Sequence, residues 1–170
     1  DSIGYFLITI NGYRTSLEEC VFGGIFSSIQ NSGDDDLINW LNVFTGSHTI
    51  TEGNGETKKK RLINLIDELT EFLTSNTQKF KGLLFLFDEM GKTLEQAGYQ
   101  KQENDLFLLQ EIAEHTNRNS NLFIGVLHQS FERYASLLDN ATQREWAKIQ
   151  GRFEDIPFQE PPVQQLRLLQ

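Results

Sequence analysis

The chain has very little cysteine, with Cys20 the only one among its 170 residues. A single cysteine excludes an internal disulfide and a zinc site built from several thiolates. It also fits a reducing compartment, so we expect a cytoplasmic protein. Cys20 has no recognisable catalytic partner, and no G-x-S-x-G motif occurs. The sequence therefore disfavours a cysteine or serine hydrolase and predicts that Cys20 lies in the core.

Long apolar runs and positive charge are also scarce. The uncharged stretch at residues 20–33 is shorter than the roughly 20 apolar residues that span a bilayer. The N-terminus lacks the positive start of a signal peptide, so we expect no membrane partner. With a net charge of -9, the chain attracts nucleic acid poorly, and we interpret its basic cluster at residues 58–61 as a solvated helix face. Nucleic acid is expected as a partner only through other domains.

The composition that remains is ordinary for a globular protein, at 38% hydrophobic and 23% charged residues. A chain of 170 residues is long enough for one sizeable core. We predict a single domain over residues 1–170, in which residues 159–170 form a C-terminal tail or linker around the Pro161-Pro162 pair.

The most informative segment is the run Gly-Leu-Leu-Phe-Leu-Phe-Asp-Glu at residues 82–89. Its continuous apolar part predicts a strand buried on both faces, as in a parallel sheet. Asp88 and Glu89 follow directly, at the carboxyl end of the strand, where open α/β sheets bind ligands. Two adjacent carboxylates there suit phosphoryl transfer, one to hold hydrated Mg²⁺ and one to polarise a water. The competing interpretation is that they only cap the next segment.

The other segments alternate between strand and helix patterns. Strand patterns occur at residues 5–10, 82–87 and 121–128, with a short edge strand at 152–158. Helical periodicity occurs at residues 17–29, 37–44, 62–73, 105–116 and 131–149, the last broken near Asp139-Asn140. We interpret residues 46–55 as a mobile loop and residues 90–104 as a polar connection. This alternation predicts right-handed βαβ units in an α/β fold, a three-layer α/β/α sandwich with a mostly parallel sheet.

Two of the predicted helices begin with capping signals. Ser16, with Glu19 three residues later, has the pattern of a capping box before the first helix. The acidic segment at residues 34–36 can cap the second helix.

Three motifs and the order of these elements resemble the part of an AAA+ ATPase core that follows the phosphate-binding loop. LLFLFDE at residues 83–89 is similar to Walker B, and LFIGVLHQS at residues 122–130 stands at the sensor-1 strand. GRFEDIPFQEP at residues 151–161 is similar to a G-R-F-D…P passage at the end of the second region of homology. A weaker resemblance links the same succession to large multi-domain ATPases of bacterial phage defence.

The resemblance implies a partial P-loop NTPase core that uses ATP and Mg²⁺. It would make Asp88 the Mg²⁺-coordinating acid and Glu89 the general base for the attacking water. It would make His128 or Gln129 the sensor of the γ-phosphate. The alternative for His128 is a purely structural role, in which its ring forms a hydrogen bond with neighbouring backbone.

The resemblance also implies an arginine finger. Arg152 occupies the position of this residue, but the family's usual second arginine falls on Ile149, so Arg144 is an alternative. A finger acting in trans implies self-association into a ring or other protein partners. The alternative for Arg152 is an ion pair with a local carboxylate such as Glu154 or Asp155.

A phosphate-binding loop of the form G-x-x-x-x-G-K-S/T is missing. The only Gly-Lys pair lies in Gly91-Lys92-Thr93, and a degenerate loop over residues 86–93 would aim Asp88 and Glu89 at the phosphates. We therefore expect the loop and its lysine upstream of Asp1, and an isolated chain that is inactive. Two functions stay open: the ATP-hydrolysing module of a larger AAA+-like ATPase, and a non-catalytic α/β scaffold or protein-interaction domain.

Overall fold

Three strands form one parallel sheet in the computed structural model, which describes residues 4–47, 55–76, 79–99, 103–136 and 140–157. They lie across the sheet in the order β1 (Phe6–Asn11), β2 (Leu83–Asp88) and β3 (Leu122–Gly125). All pairings are parallel. The strand that carries the acidic pair is therefore the central one of the described sheet.

Helices make up most of the remaining described residues. They are α1 (Leu17–Ser32), α2 (Asp35–Ser47), α3 (Gly55–Glu71) with a π-helical turn (Phe72–Asn76), α4 (Met90–Tyr99), α5 (Glu103–Arg118), α6 (Phe131–Ala135) and α7 (Asn140–Gln150). The α/β class, the first three predicted strands and the five predicted helical regions are confirmed. No helix in the described ranges is long and apolar enough to cross a membrane.

Both predicted N-caps form, although the Glu19 carboxylate accepts from the Thr15 hydroxyl and does not complete a capping box. The Ser16 hydroxyl accepts a hydrogen bond from the Glu19 amide at 3.2 Å and begins α1. One Asp34 carboxylate oxygen accepts from the amides of Asp36 at 3.1 Å and Leu37 at 3.3 Å and begins α2. These contacts satisfy amides of the first turn, which have no partner inside the helix.

The core lies on one face of the sheet. Alternate residues of β1 and β2 point to this face and are at most 7% exposed: Phe6, Ile8, Ile10, Leu83, Phe85 and Phe87. They belong to one cluster with buried residues of α1, α3 and α5, and Cys20 belongs to it as predicted. Each such side chain contributes about 1.5–3 kcal/mol by its removal from water, so this cluster holds the helices on the sheet.

On the opposite face of the sheet the side chains are only partly covered, so the expected burial on both faces is not found. Leu84 and Leu86 of β2 are half-buried, and Leu122 and Ile124 of β3 are 45% and 49% exposed. Neither strand is buried on both faces in the described structure, because the described helices pack on the other face. β3 is also shorter than predicted, ending at Gly125.

Two further predictions are corrected. The polar connection predicted at residues 90–104 is wrong over 90–99, which form α4 because Met90, Leu94 and Ala97 recur at helical spacing and are buried. The edge strand predicted at residues 152–158 is wrong over the described residues 152–157, which are irregular after the turn that ends α7. Residues 48–54 of the predicted mobile loop, residue 158 of the predicted edge strand and residues 159–170 of the predicted tail lie outside the described residues.

Candidate functional site

The acidic pair lies at the carboxyl edge of the sheet, as the sequence predicts. Asp88 is the last residue of β2, and Glu89 is the single residue between β2 and α4. Glu89 adopts a φ of 52°, in the left-handed region that few non-glycine residues occupy. This conformation lets the chain pass from a strand to a helix in one residue.

Neighbouring backbones hold this turn on both sides. The Gly12 amide donates to the Asp88 carbonyl at 2.8 Å. A side chain at Gly12 would begin 2.6 Å from the Glu89 carbonyl carbon, so only glycine fits here. On the β3 side, the Met90 amide donates to the Val126 carbonyl at 3.2 Å. The Glu89 backbone is therefore fixed between the loops that follow β1 and β3.

Two basic side chains face the Glu89 carboxylate. The Lys92 ammonium, one helical turn further along α4, forms an ion pair with one Glu89 oxygen. The Nε2 atom of His128 lies 3.7 Å from the other Glu89 oxygen. The hydrogen bond from Lys92, followed by the contact with His128, lowers the pKa of the Glu89 carboxyl below its usual range. Glu89 is therefore ionised at neutral pH.

Asp88 is exposed, and the described residues bond only one of its carboxylate oxygens. Its Oδ1 accepts from the Glu89 amide at 2.8 Å, and no other hydrogen bond to this carboxylate occurs among the described residues. Mg²⁺ in phosphoryl-transfer sites often takes only one or two protein carboxylates, with waters and phosphate oxygens completing the shell. The Asp88 carboxylate fits that role. Within the described ranges, no cluster of three or more His, Cys, Asp or Glu side chains is arranged to hold a metal ion.

The structure brings together the acidic pair and one of the two predicted sensor residues. His128, in the loop after β3, faces the Glu89 carboxylate, and no hydrogen bond from its ring to backbone occurs among the described residues. Gln129 follows in the same loop and is half-buried. Both residues lie at the carboxyl edge, because the loops after parallel strands share one edge of the sheet.

Arg152 lies elsewhere. Its Nε and Nη2 atoms contact Glu114 Oε1 of α5 at 2.9 and 2.7 Å, and its Nη1 donates to the Lys148 carbonyl at 2.7 Å. Glu114 is one turn from the end of α5, which leads to the start of β3. Arg152 is thus engaged in an ion pair, although with Glu114 rather than the local Glu154 or Asp155.

Among the described residues, no hydrogen bond or ion pair joins Arg152 to Asp88 or Glu89. The neighbouring Phe153 ring packs against β3, with its centroid 5.8 Å from that of Phe123. The alternative finger, Arg144 of α7, is exposed and donates to the Asn140 carbonyl at 3.2 Å.

The interpretation of residues 86–93 as a degenerate phosphate loop does not fit the structure. A single residue separates β2 from α4, which leaves no loop to surround a phosphate. Thr93 is 1% exposed, and its hydroxyl donates to the Tyr13 carbonyl at 3.2 Å, so it is not available to a metal ion.

Sequence reasoning missed the roles of Lys92 and Gly12 at this site. The position of Lys92, three residues after Glu89 at the start of a helix, was a signal for the ion pair, because residues three apart are neighbours on a helix. Gly12 carried a weaker signal as the glycine directly after a strand end. Its contact with Glu89 depends on strand pairing across 77 residues and could not be read locally.

The chain matches no protein-family model, no curated protein and no solved structure.

Proposed function

We propose that this chain is the Mg²⁺-coordinating and water-positioning part of an ATP-hydrolysing module in a larger, AAA+-like ATPase. The observation that carries the proposal is the geometry of the acidic pair at the carboxyl edge of the central strand. Asp88 presents an exposed carboxylate there, with one oxygen that no described residue bonds, and Glu89 is held beside it, ionised, by Lys92 and His128.

Each carboxylate has a distinct chemical role in this proposal. Asp88 would hold Mg²⁺, which would supply positive charge to stabilise the transferring phosphate group. Glu89 accepts a hydrogen bond from the attacking water, orients it and takes its proton. Because the backbone of Glu89 is fixed by Gly12 and Met90, the carboxylate needs little reorganisation, which is how positioning lowers a barrier.

The remaining site residues would act on the γ-phosphate. His128 or Gln129 would contact it from the loop after β3, beside the water that Glu89 orients. Arg152 or Arg144 would serve the site of a neighbouring subunit, which would make self-association part of the function. For Arg152, this role requires release from Glu114.

The described residues do not include a loop that surrounds phosphates with backbone amides. The proposal therefore places the phosphate-binding loop and its lysine in a segment before Asp1 and expects the isolated chain to be inactive. The same segment would add the third layer of the α/β/α sandwich.

A non-catalytic scaffold or protein-interaction domain is the second candidate. The Glu89–Lys92 ion pair favours it, because a base neutralised by a neighbouring cation is a weaker proton acceptor. In a scaffold, the same pair would only stabilise the start of α4.

The two candidates are separated by calorimetric titration of Mg·ATP into the 170-residue chain and into a version extended upstream by about one βα unit. The ATPase proposal expects binding and phosphate release only from the extended protein. In it, Glu89→Gln should keep ATP binding and abolish hydrolysis, and Asp88→Asn should remove the Mg²⁺ dependence of binding.

Glu95→Gln is the matched control. It replaces the same type of side chain in the same way, but Glu95 lies within α4 and outside the turn. It should leave both binding and hydrolysis unchanged. If neither protein binds Mg·ATP, or if Glu89→Gln and Glu95→Gln behave alike, the scaffold is the better account.

A further inference from the structure

The loop that carries His128, residues 127–130, is bound on both sides to the first two residues of α4. On its upstream side, the Met90 amide donates to the Val126 carbonyl at 3.2 Å, and the Met90 thioether lies over Gly125. A Cβ on Gly125 would stand 2.8 Å from the Met90 sulfur, so a larger residue does not fit there without movement. Met90 therefore joins the end of β3 to the start of α4.

On the downstream side of the loop, Tyr134 of α6 lies against Gly91, the second residue of α4. A Cβ on Gly91 would stand 2.6 Å from Tyr134 Cζ and 3.0 Å from Cε1, so the ring occupies the space that a side chain at residue 91 would need. Tyr134 is 4% exposed. Glycine is unfavourable within a helix, and its presence in α4 is explained by this contact with the Tyr134 ring.

Both contacts end on residues that directly follow Glu89 in the chain, so the loop and the acidic turn share one support. The direct contact between them is loose, because His128 Nε2 lies 3.7 Å from the Glu89 carboxylate and the His128 side chain is 70% exposed. A short loop held by that contact alone would leave the imidazole free to move. Packing on Met90 and Gly91 therefore sets the distance between His128 and Glu89.

The other large aromatic residue of α6 makes a different contact. The Phe131 ring, three residues before Tyr134, packs with its centroid 4.7 Å from that of Trp146 in α7. The two α6 rings are almost equally buried, at 5% exposure for Phe131 and 4% for Tyr134. Phe131 thus holds α6 on α7, whereas Tyr134 holds α6 on α4. The two residues provide a matched comparison within one short helix.

We propose that Tyr134 is a positioning residue of the candidate site, which through its contact with Gly91 fixes the loop of His128 and Gln129 against the Glu89 turn. Tyr134 acts through the backbone of α4 and takes no part in the chemistry itself. Its effect on ATP hydrolysis rests on the proposed function, in which this loop contacts the γ-phosphate beside the water that Glu89 orients. A displaced loop would separate two groups that act on the same phosphate.

A double-mutant cycle in the 170-residue chain tests the contact. Gly91→Ala puts a methyl group where the Tyr134 ring lies and should raise the equilibrium constant of unfolding in urea about tenfold or more. In a Tyr134→Leu background the methyl group finds space, so Gly91→Ala should change that constant by less than about threefold. In a Phe131→Leu background the Tyr134 ring is still present, and Gly91→Ala should again raise the constant about tenfold.

Backbone NMR relaxation of the same proteins tests the positioning. In the native chain, the amides of His128 and Gln129 should have order parameters of about 0.85, and in Tyr134→Leu these should fall below about 0.6. Gly91→Ala should loosen the same two amides although it removes no core side chain, so it provides the answer if Tyr134→Leu does not fold. Phe131→Leu is the control and should leave both amides rigid.

Kinetics of the protein extended upstream test the link to function. Tyr134→Leu should lower kcat about tenfold or more at unchanged KM for Mg·ATP, because a misplaced loop affects the transition state and not ground-state binding. Phe131→Leu should change neither constant by more than about twofold. Tyr134→Phe should keep most of kcat, because its ring still fills the space over Gly91.

Three outcomes would overturn the inference. They are additive effects of Gly91→Ala and Tyr134→Leu on unfolding, equal loosening of the loop by Tyr134→Leu and Phe131→Leu, and loop amides that stay rigid in Gly91→Ala. Coupling and loosening in an extended protein that does not hydrolyse ATP would keep Tyr134 as the residue that positions the loop and would remove the proposed function. Hydrolysis that Tyr134→Leu and Phe131→Leu slow equally would do the reverse.

Discussion

The backbone of Gly12 lies directly against that of Glu89, so that a Cβ on Gly12 would be 2.6 Å from the Glu89 carbonyl carbon. Through this contact, the loop after β1 supports the turn in which Glu89 holds its left-handed conformation. Gly12→Ala should destabilise the protein by about 1–3 kcal/mol, because the added methyl group displaces one of the two backbones. Chemical denaturation measures this difference.

The control for this variant is Gly4→Ala, since no atom lies within 4 Å of a Cβ at Gly4. It should change the free energy of unfolding by no more than about 0.5 kcal/mol. Equal effects of the two substitutions would mean that Gly12 does not support the Glu89 turn.

Two adjacent glycines of α1 should respond to alanine with opposite signs. Gly24 approaches β1 so closely that a Cβ would lie 2.9 Å from the Thr9 carbonyl oxygen, whereas Gly23 has open space around it. Gly24→Ala should destabilise by about 1–3 kcal/mol through overpacking. Gly23→Ala should stabilise by about 0.4–1 kcal/mol, because alanine restricts the unfolded chain and favours a helix. Thermal and urea unfolding of the two variants check the signs, and a stable Gly24→Ala protein would contradict the packing of α1 on β1.

Asp34 should stabilise the protein as the cap of α2 and should make the free energy of unfolding depend on pH. Its hydrogen bond with Lys79 is the largest of the contacts that lower the pKa of the Asp34 carboxyl below its ordinary value of 3.8. A carboxyl whose pKa is lower in the folded state adds stability above its unfolded pKa and loses it as the pH falls through its folded pKa. The contribution of ionised Asp34 is therefore complete near neutral pH and disappears in acid below 3.8.

Two substitutions separate these contributions. Asp34→Ala should cost about 1 kcal/mol at pH 7 through loss of the α2 cap. Asp34→Asn keeps a capping oxygen and should lose less, and its difference from the native protein should vanish in acid. Urea unfolding between pH 7 and pH 3 provides the measurement. A difference between Asn and Asp that persists unchanged to pH 3 would exclude the ion pair as its source.

Arg152 should affect stability in the chain by itself, because it binds Glu114 and the Lys148 carbonyl. Arg152→Ala should lower the Tm by about 1–3 °C, in the range expected for a partly exposed ion pair in a protein of this size. Arg144→Ala, which removes only one exposed contact to backbone, should change the Tm less. A residue that acted only as a finger in trans would leave the Tm of the isolated chain unchanged, so an unaltered Tm would contradict the structural role of Arg152.

Local patterns along the chain predicted much of the fold. The apolar run before Asp88 predicted β2, and Ser16 and Asp34 predicted the starts of α1 and α2, because the atoms that form these elements are close in sequence. The prediction for residues 90–99 failed for a local reason as well. Glu95 and Gln96 made the segment look polar, while Met90, Leu94 and Ala97 already had the spacing of a helix face.

Burial of the third strand could not be predicted in this way. An apolar strand such as β3 has the same sequence pattern whether one face or both are covered, because the pattern does not contain the neighbouring layer. Leu122 and Ile124 are exposed in the described structure because the helices lie on the other face of the sheet. The partner of Arg152 could not be predicted from a local pattern either, because Glu114 lies 38 residues earlier.

The sequence by itself determined the α/β class, the three strands, most of the helices and the place of Asp88 and Glu89 at a strand end, because these depend on periodicity and on short-range hydrogen bonds. Only the tertiary structure decided that Gly12 supports Glu89, that His128 faces its carboxylate, and that Arg152 is bound to α5. It also decided which face of the sheet the described helices cover. These features arise where segments distant in sequence meet, and the physical reason is that strand pairing and packing set their distances, which no local pattern contains.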